Sequence, residues 1–205
     1  MIVIIDYGLG NLSSISNALS SLGIAHEITN NPVKIQSADK LILPGVGAFK
    51  TGMKNLSDFG VIDVLNNEVL VKKKPILGIC LGMQLMCTKS YEGGECQGLG
   101  WIDAEVVKFD YSKTGLRVPH VGWNDVKCNL GCPLLIGGRE IQTFYFVHSY
   151  YPVLSNLLLS KGICNYGIDF CAIFQKDNIF ATQFHPEKSQ YEGLEILKKF
   201  SELKC

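Results

Sequence analysis

A cysteine, a histidine and a glutamate are the residues in this chain whose types and spacing suggest chemistry. Cys80 sits in Gly78-Ile79-Cys80-Leu81-Gly82, a Gly-x-nucleophile-x-Gly pattern that follows the apolar run Pro75–Ile79. Such an elbow, at a strand-to-helix junction, is where hydrolases hold a serine; here a thiol takes the place. Flanking glycines let the chain turn without side-chain clash and leave the nucleophile strained and exposed. A helix beginning at the sulfur favours thiolate and any oxyanion beside it. The rival reading of the pentapeptide by itself is a buried cysteine in a glycine-rich turn. Far downstream, Phe184-His185-Pro186-Glu187 closes an apolar run that begins at Ile179. In extended chain His185 and Glu187 project from one face. A carboxylate there can hold one imidazole nitrogen while the other faces the thiol, which is the orienting logic of a catalytic triad. Taken singly, His185 reads equally well as a structural histidine; Cys80 and Glu187 together tip it toward catalysis.

The elements that must position these groups are legible in the pattern. Ile2–Asp6, Lys40–Pro44 and Pro75–Ile79 are short apolar runs of the kind found in strands covered on both faces. The first is followed by Leu12, Ile15, Leu19 and Leu22 on one helical face, stopped by Gly23, and helical patterns run from Gly47 to about Val71. A second strand covers His26–Thr29. Strands alternating with helices predict right-handed crossovers and a mostly parallel sheet. From about Trp101 the grammar changes. Trp123–Lys127, Thr143–Ser149, Leu158–Asn165 and Phe170–Phe184 read as strands with short turns, with Lys176-Asp-Asn178 a hairpin tip and a last helix between Gln190 and Leu203. The expectation is one α/β domain over residues 1–205, whose second half adds antiparallel strands to the sheet.

Composition excludes several classes of function. The 205 residues are 47% hydrophobic and 19% charged, with mean hydropathy +0.17, a globular composition with ample material for a core. Nineteen basic and nineteen acidic residues cancel, so no global field draws the protein to nucleic acid or an anionic membrane. No stretch approaches the ~18 apolar residues of a membrane span. The start, Met1–Asp6, has no basic region and meets a carboxylate too early for a signal peptide, which predicts a cytoplasmic location. Eight cysteines without a C-x-x-C pair, and four scattered histidines, predict reduced buried thiols and no metal site. Gly8-x-Gly10-x-x-Ser13 is nearly a dinucleotide fingerprint, but His26–Thr29 ends in Asn30-Asn31-Pro32 with no acid for a ribose. A tight strand-to-helix turn is the stronger reading, and no cofactor is expected.

Six blocks, in order along nearly the whole chain, resemble the class I (triad-type) glutamine amidotransferases. They are Asp6–Leu12, Leu43-Pro-Gly-Val-Gly47, Gly78–Gln84, Pro119-His-Val-Gly-Trp-Asn124, Phe146-Val-His-Ser149 and Phe184–Ser189. Within that family the chain is similar to glutaminase subunits serving histidine biosynthesis. The resemblance implies a flavodoxin-like α/β fold and hydrolysis of L-glutamine by Cys80, His185 and Glu187. It implies an oxyanion hole from the backbone amides of Val46 and Leu81, with Gly45 and Gly47 letting that loop reorient. It assigns the amino-acid end of glutamine to Gly47, Gln84, Glu92, Ser149 and Tyr150; for Glu92 a solvated loop is the rival reading.

The ammonia released is useless without a synthase, and no second active-site domain is visible in the chain. The resemblance therefore implies a heterodimer with a (β/α)₈-barrel cyclase subunit, with Asn11, Trp123, Tyr145 and Lys188 at the interface. Lys188, next after Glu187 on an alternating strand, is expected to point away from the triad; a merely solvated lysine is the rival reading. A paralogous glutaminase feeding a sugar-modifying amidotransferase is the alternative function. A catalytically silent binding subunit is disfavoured because all three triad positions are filled.

Overall fold

The computed structural model describes residues 1–110, 112, 115–129, 131–135, 137 and 139–203. Its centre is a nine-stranded sheet. The strands β1 (Ile2–Ile5), β2 (His26–Thr29), β3 (Lys40–Leu43) and β4 (Ile76–Ile79) come from the first half of the chain. β5 (Cys87–Ser90), β6 (Cys96–Gln97), β7 (Ile102–Lys108) and β8 (His120–Cys128) follow. The last are β9 (Ile141–His148), β10 (Tyr150–Leu154), β11 (Ser160–Asn165), β12 (Asp169–Lys176) and β13 (Ile179–Thr182). The main sheet runs β2-β1-β3-β4-β13-β12-β11-β8-β9, parallel from β2 to β13 and antiparallel beyond. Its parallel half has the flavodoxin-like order in which ligands bind outside the carboxyl ends of the strands.

Strand alternation divides the core into two layers. Val3, Ile5, Leu41 and Leu43 face one way, toward α2 (Pro32–Ser37), α3 (Phe49–Asp58), α4 (Ile62–Asn66) and α5 (Leu81–Leu85). Ile2, Ile4, Ile42 and Leu77 face the other, toward α1 (Leu12–Ser21) and α6 (Gln190–Glu202). β1, β3, β4 and β13 are buried at every position, which is why they read as mostly apolar runs. α1 buries Ile15, Ala18 and Leu19, and α6 buries Ile196, Leu197 and Phe200, the stripes their spacing predicts. α4 runs into a π-helical turn, Asn67–Val71, whose Glu68 carboxylate is wholly buried and held by Lys72 and Lys74, each at 2.8 Å.

The second half departs from the expected single sheet. β10, β7, β5 and β6 form a separate four-stranded sheet, with β5 and β7 parallel. The run expected as a strand from Leu158 begins instead as a 3₁₀ turn, Leu157–Leu159, with the strand from Ser160. The hairpin tip falls where expected, at Asp177-Asn178 between β12 and β13. β13 stops at Thr182, and Pro186–Lys188 is a 3₁₀ turn. Lys188 is therefore not on an alternating strand: proline at 186 cannot donate to a sheet ladder and favours the first turn of a helix.

Candidate active site

Cys80 joins β4 to α5 with φ 52° and ψ −107°, a backbone conformation that costs an L-residue energy and places its side chain at the turn's apex. The elbow is locked on both sides. Cys80 N–H donates to Thr182 C=O at 2.8 Å, tying it to the strand that leads to His185, and Gln84 N–H donates back to Cys80 C=O at 3.2 Å. A Cβ on Gly82 would lie 1.9 Å from the Leu43 carbonyl oxygen, so only a glycine lets α5 pass this close to β3. α5 is short, so what it can bring to the site is the N–H groups of one turn rather than a long dipole.

His185 hangs from the end of β13, anchored by packing. Phe184 is fully buried, stacked on Phe144 with centroids 3.8 Å apart and planes 5° apart, and meets Phe146 edge-on at 5.7 Å. Burying such a ring contributes roughly 1.5–3 kcal/mol. His185 N–H donates to Tyr145 C=O at 3.0 Å, and the buried Ser189 hydroxyl donates to His185 C=O at 2.7 Å while accepting from Tyr145 N–H at 2.9 Å.

Glu187 Oε1 lies 2.8 Å from His185 Nδ1, with both side chains almost wholly buried. The turn Pro186–Lys188 brings them together, not the shared face of an extended strand. His185 Nε2 is buried without a partner of ordinary hydrogen-bond geometry. Burial alone would push the imidazole down, but hydrogen bonding and charge from Cys80 and Glu187 outweigh it and hold its pKa up at about 10. The arrangement is an acid–base unit between thiol and carboxylate.

Cys80 opens onto a cavity of about 340 Å³. Val46, Gly47, Leu81, Gln84, Glu92, Ser149 and Tyr150, all singled out from sequence, line it together with Cys80. His185 and Glu187 are not among the residues that line it. Gln84 donates through Nε2 to Tyr150 C=O at 2.9 Å and to Gln183 Oε1 at 3.1 Å. Glu92 is no free loop residue: its Oε2 accepts from Phe49 N–H at 2.7 Å, at the start of α3. Burial and the nearby Glu92 raise the pKa of the Tyr150 phenol.

The expected oxyanion donors are not both available. Leu81 N–H points at Gly45 C=O, 3.4 Å away. A Cβ on Gly45 would stand 2.6 Å from the Tyr7 hydroxyl and 2.7 Å from Leu81 Cβ, so this loop lies as close to the elbow as a glycine allows.

Three residues given no role from sequence belong to the same constellation. His148 lines the cavity, donating from Nδ1 to Tyr150 C=O at 2.8 Å, and its Nε2 lies 3.1 Å from His120 Nδ1. His120 Nε2 in turn faces Asn124 Nδ2 at 3.3 Å. Burial pushes His148 down to about 3 and His120 to about 4, so both rings are neutral at pH 7. The third is Gln183, fully buried, whose Nε2 is 3.6 Å from Cys80 Sγ. His120 and His148 lie inside two of the matched sequence blocks and Gln183 just before a third, which was the available signal, but a buried hydrogen-bond partner leaves no periodicity of its own.

The residues expected at a partner interface come together in part. Trp123 and Tyr145 are cross-strand neighbours on β8 and β9, ring centroids 6.0 Å apart, and Lys188 Nζ lies 5.9 Å from the Tyr145 ring centre. Trp123 and Val121 are 48% and 55% exposed, an apolar surface on one strand. Asn11 precedes α1, which packs against the Pro186–Lys188 turn. Among the described residues no group of three or more histidine, cysteine or acidic side chains converges as a metal site, and no helix is long and apolar enough to cross a membrane.

Compared with known families, the chain matches the glutamine amidotransferase class-I model over residues 3–203. It is 51% identical over 203 residues to imidazole glycerol phosphate synthase subunit HisH 1 of Campylobacter jejuni subsp. jejuni serotype O:23/36 (strain 81-176), covering 99% of this chain and 100% of that one. It is 48% identical over 206 residues to subunit HisH 2 of Pseudomonas aeruginosa, again covering 99% and 100%. Among solved structures, a glutamine amidotransferase from Thermotoga maritima shares the fold at TM-score 0.61 and 16% identity, covering 98% of this chain and 80% of that one.

Proposed function

The chain belongs to the glutamine amidotransferase class-I family, and from that premise we propose that it is the glutaminase subunit of an imidazole glycerol phosphate synthase, a single amidotransferase domain working in the cytoplasm. The observation that carries the chemistry is Cys80 at φ 52°, with His185 beside it and Glu187 Oε1 2.8 Å from the imidazole. L-Glutamine fits the cavity with its carboxamide at the sulfur and its amino-acid end among Gly47, Gln84, Glu92, Ser149 and Tyr150. Cys80 attacks the carboxamide carbon as thiolate, and His185, held in one tautomer by Glu187, passes the proton to departing ammonia. Water then hydrolyses the glutamyl thioester and glutamate leaves.

The tetrahedral oxyanion takes the amides of Leu81 and Val46, which requires the Leu81 N–H to leave Gly45 C=O. A loop that must reorient before the hole exists gates turnover, and each ~1.4 kcal/mol of bias changes the active fraction tenfold. The partner that supplies this bias and takes the ammonia is a (β/α)₈-barrel cyclase subunit, docked over Asn11, Trp123, Tyr145 and Lys188.

The test couples glutamate release to acceptor product in the assembled complex. Cys80→Ser abolishes hydrolysis without unfolding the chain, a glutamine-analogue electrophile labels Cys80, and the isolated chain turns over far more slowly than the loaded complex. Labelling of another cysteine overturns the mechanism, and equal turnover alone and in complex overturns the gating. Tight pairing with a sugar-modifying amidotransferase instead of the cyclase overturns the pathway assignment while leaving the glutaminase chemistry standing.

A further inference from the structure

Gln183 is the first residue past β13, and its side chain is fully buried. Its backbone N–H still donates to Ala172 C=O at 2.9 Å, so its direction is set by the hairpin with β12. Which end of its amide faces the nucleophile follows from a chain of hydrogen bonds. The Tyr150 backbone carbonyl can only accept, so the Gln84 atom 2.9 Å from it is the amide nitrogen. That nitrogen is 3.1 Å from the next amide along, which must present its oxygen. The remaining end of Gln183 is then the donor, 3.6 Å from Cys80 Sγ.

We propose that Gln183 is a positioning residue for the nucleophile: its N–H holds the Cys80 sulfur and favours the anionic form, while its carbonyl fixes Gln84 in the pose that receives glutamine. The proposal rests on the reading of Cys80 as the nucleophile. A hydrogen bond to an ionised acceptor is about twice as strong as one between neutral groups, so this donor favours thiolate over thiol. The ionisable groups around the sulfur are His185, which interacts with it directly, Tyr7, whose phenol is disfavoured from ionising by burial and by Cys80, and, across the cavity, His148 and Glu92. Gln183 adds a neutral donor that no proton transfer can remove, and it shares one rigid amide between the groups that bind and the group that attacks.

The experiment follows the pH dependence of iodoacetamide alkylation in the full-length chain by mass spectrometry, with the half-exposed Cys96 as internal reference. Gln183→Met removes both hydrogen bonds. Its Cys80 midpoint rises by about one pH unit, tenfold in anionic fraction below the midpoint, while Cys96 does not move. Gln183→Glu keeps an acceptor for Gln84 but puts a carboxylate beside the sulfur, so its midpoint also rises. The two variants differ in a second readout, protection of Cys80 by glutamine: Gln183→Met weakens it several-fold and Gln183→Glu leaves it near wild type. In the unmutated protein the Gln183 side-chain amide resonances shift with Cys80 titration and lose that shift in Cys80→Ala, which decides the matter if the Gln183 variants do not fold. If wild-type Cys80 reacts no faster than Cys96 at neutral pH, the nucleophile assignment itself falls. If wild-type Cys80 is reactive yet its midpoint is unchanged in both variants, or the Gln183 amide ignores its titration, the positioning role is overturned.

Discussion

Acidification should destabilise this protein through His148, because its burial keeps the folded ring neutral well below the unfolded midpoint. Its ring is buried against His120 and held neutral, with a pKa pushed from the usual 6.5 to about 3. A histidine with a depressed folded-state pKa binds its proton more readily when unfolded, so its contribution to stability is complete above 6.5 and is lost as pH falls below it. At pH 5 the unfolded ring is about 1.5 units below its midpoint while the folded ring is still neutral. At ~1.4 kcal/mol per unit, the loss between pH 7 and pH 5 is about 2 kcal/mol. This figure depends on the unfolded midpoint and not on how far below 5 the folded value lies. His185, held up at about 10, changes in the opposite sense over this window, because the folded ring already holds a proton that the unfolded ring only partly binds at pH 7, and acidification favours the state with more protons bound. His120 titrates in the same direction as His148. Both remain in a His148→Gln variant, so comparing the two proteins isolates His148. Urea unfolding at pH 7 and pH 5 measures the four stabilities, and the variant should lose about 2 kcal/mol less than wild type between the two pH values. An equal loss in both proteins would show that His148 is not buried neutral, and the reasoning would fail with it.

Gly82→Ala places a Cβ 1.9 Å from the Leu43 carbonyl oxygen, and should lower the melting temperature by roughly 5 °C or more; a variant that melts with wild type would mean the elbow is not packed as described. Lys74→Met strips a mostly buried partner from the buried Glu68 and should cost about 3 kcal/mol in urea unfolding, against at most about 1 kcal/mol for Lys72→Ala, whose side chain is half exposed. The reverse order would put the weight of that ion pair on the wrong lysine.

Much of the parallel half of the fold, and the residues proposed to react, were legible from local pattern. β1, β3, β4 and β13 are covered on both faces, so each is mostly apolar, and a run of that kind is legible without knowing its neighbours. Gly78–Gly82 and His185-x-Glu187 are likewise local: the proposed nucleophile elbow, and the proposed base with its orienter, each span only a few residues. Most of the remainder depends on contacts between segments distant in the chain. The small sheet formed by β5, β6, β7 and β10 joins segments far apart in the chain; β6 is only two residues long, and β5, Cys-Thr-Lys-Ser, is polar in its middle and carries no apolar run. Glu187 reaches His185 through a turn that Pro186 imposes, where alternation along a strand had suggested the same contact and had misplaced Lys188. Gln183, His148 and His120 carried no signal of their own, because a polar side chain becomes a partner only when folding buries it opposite a matching donor or acceptor. The availability of the Leu81 amide is likewise a matter of distance across space: the Gly45 carbonyl that occupies it lies thirty-six positions earlier in the chain and arrives there only when β3 and β4 pair.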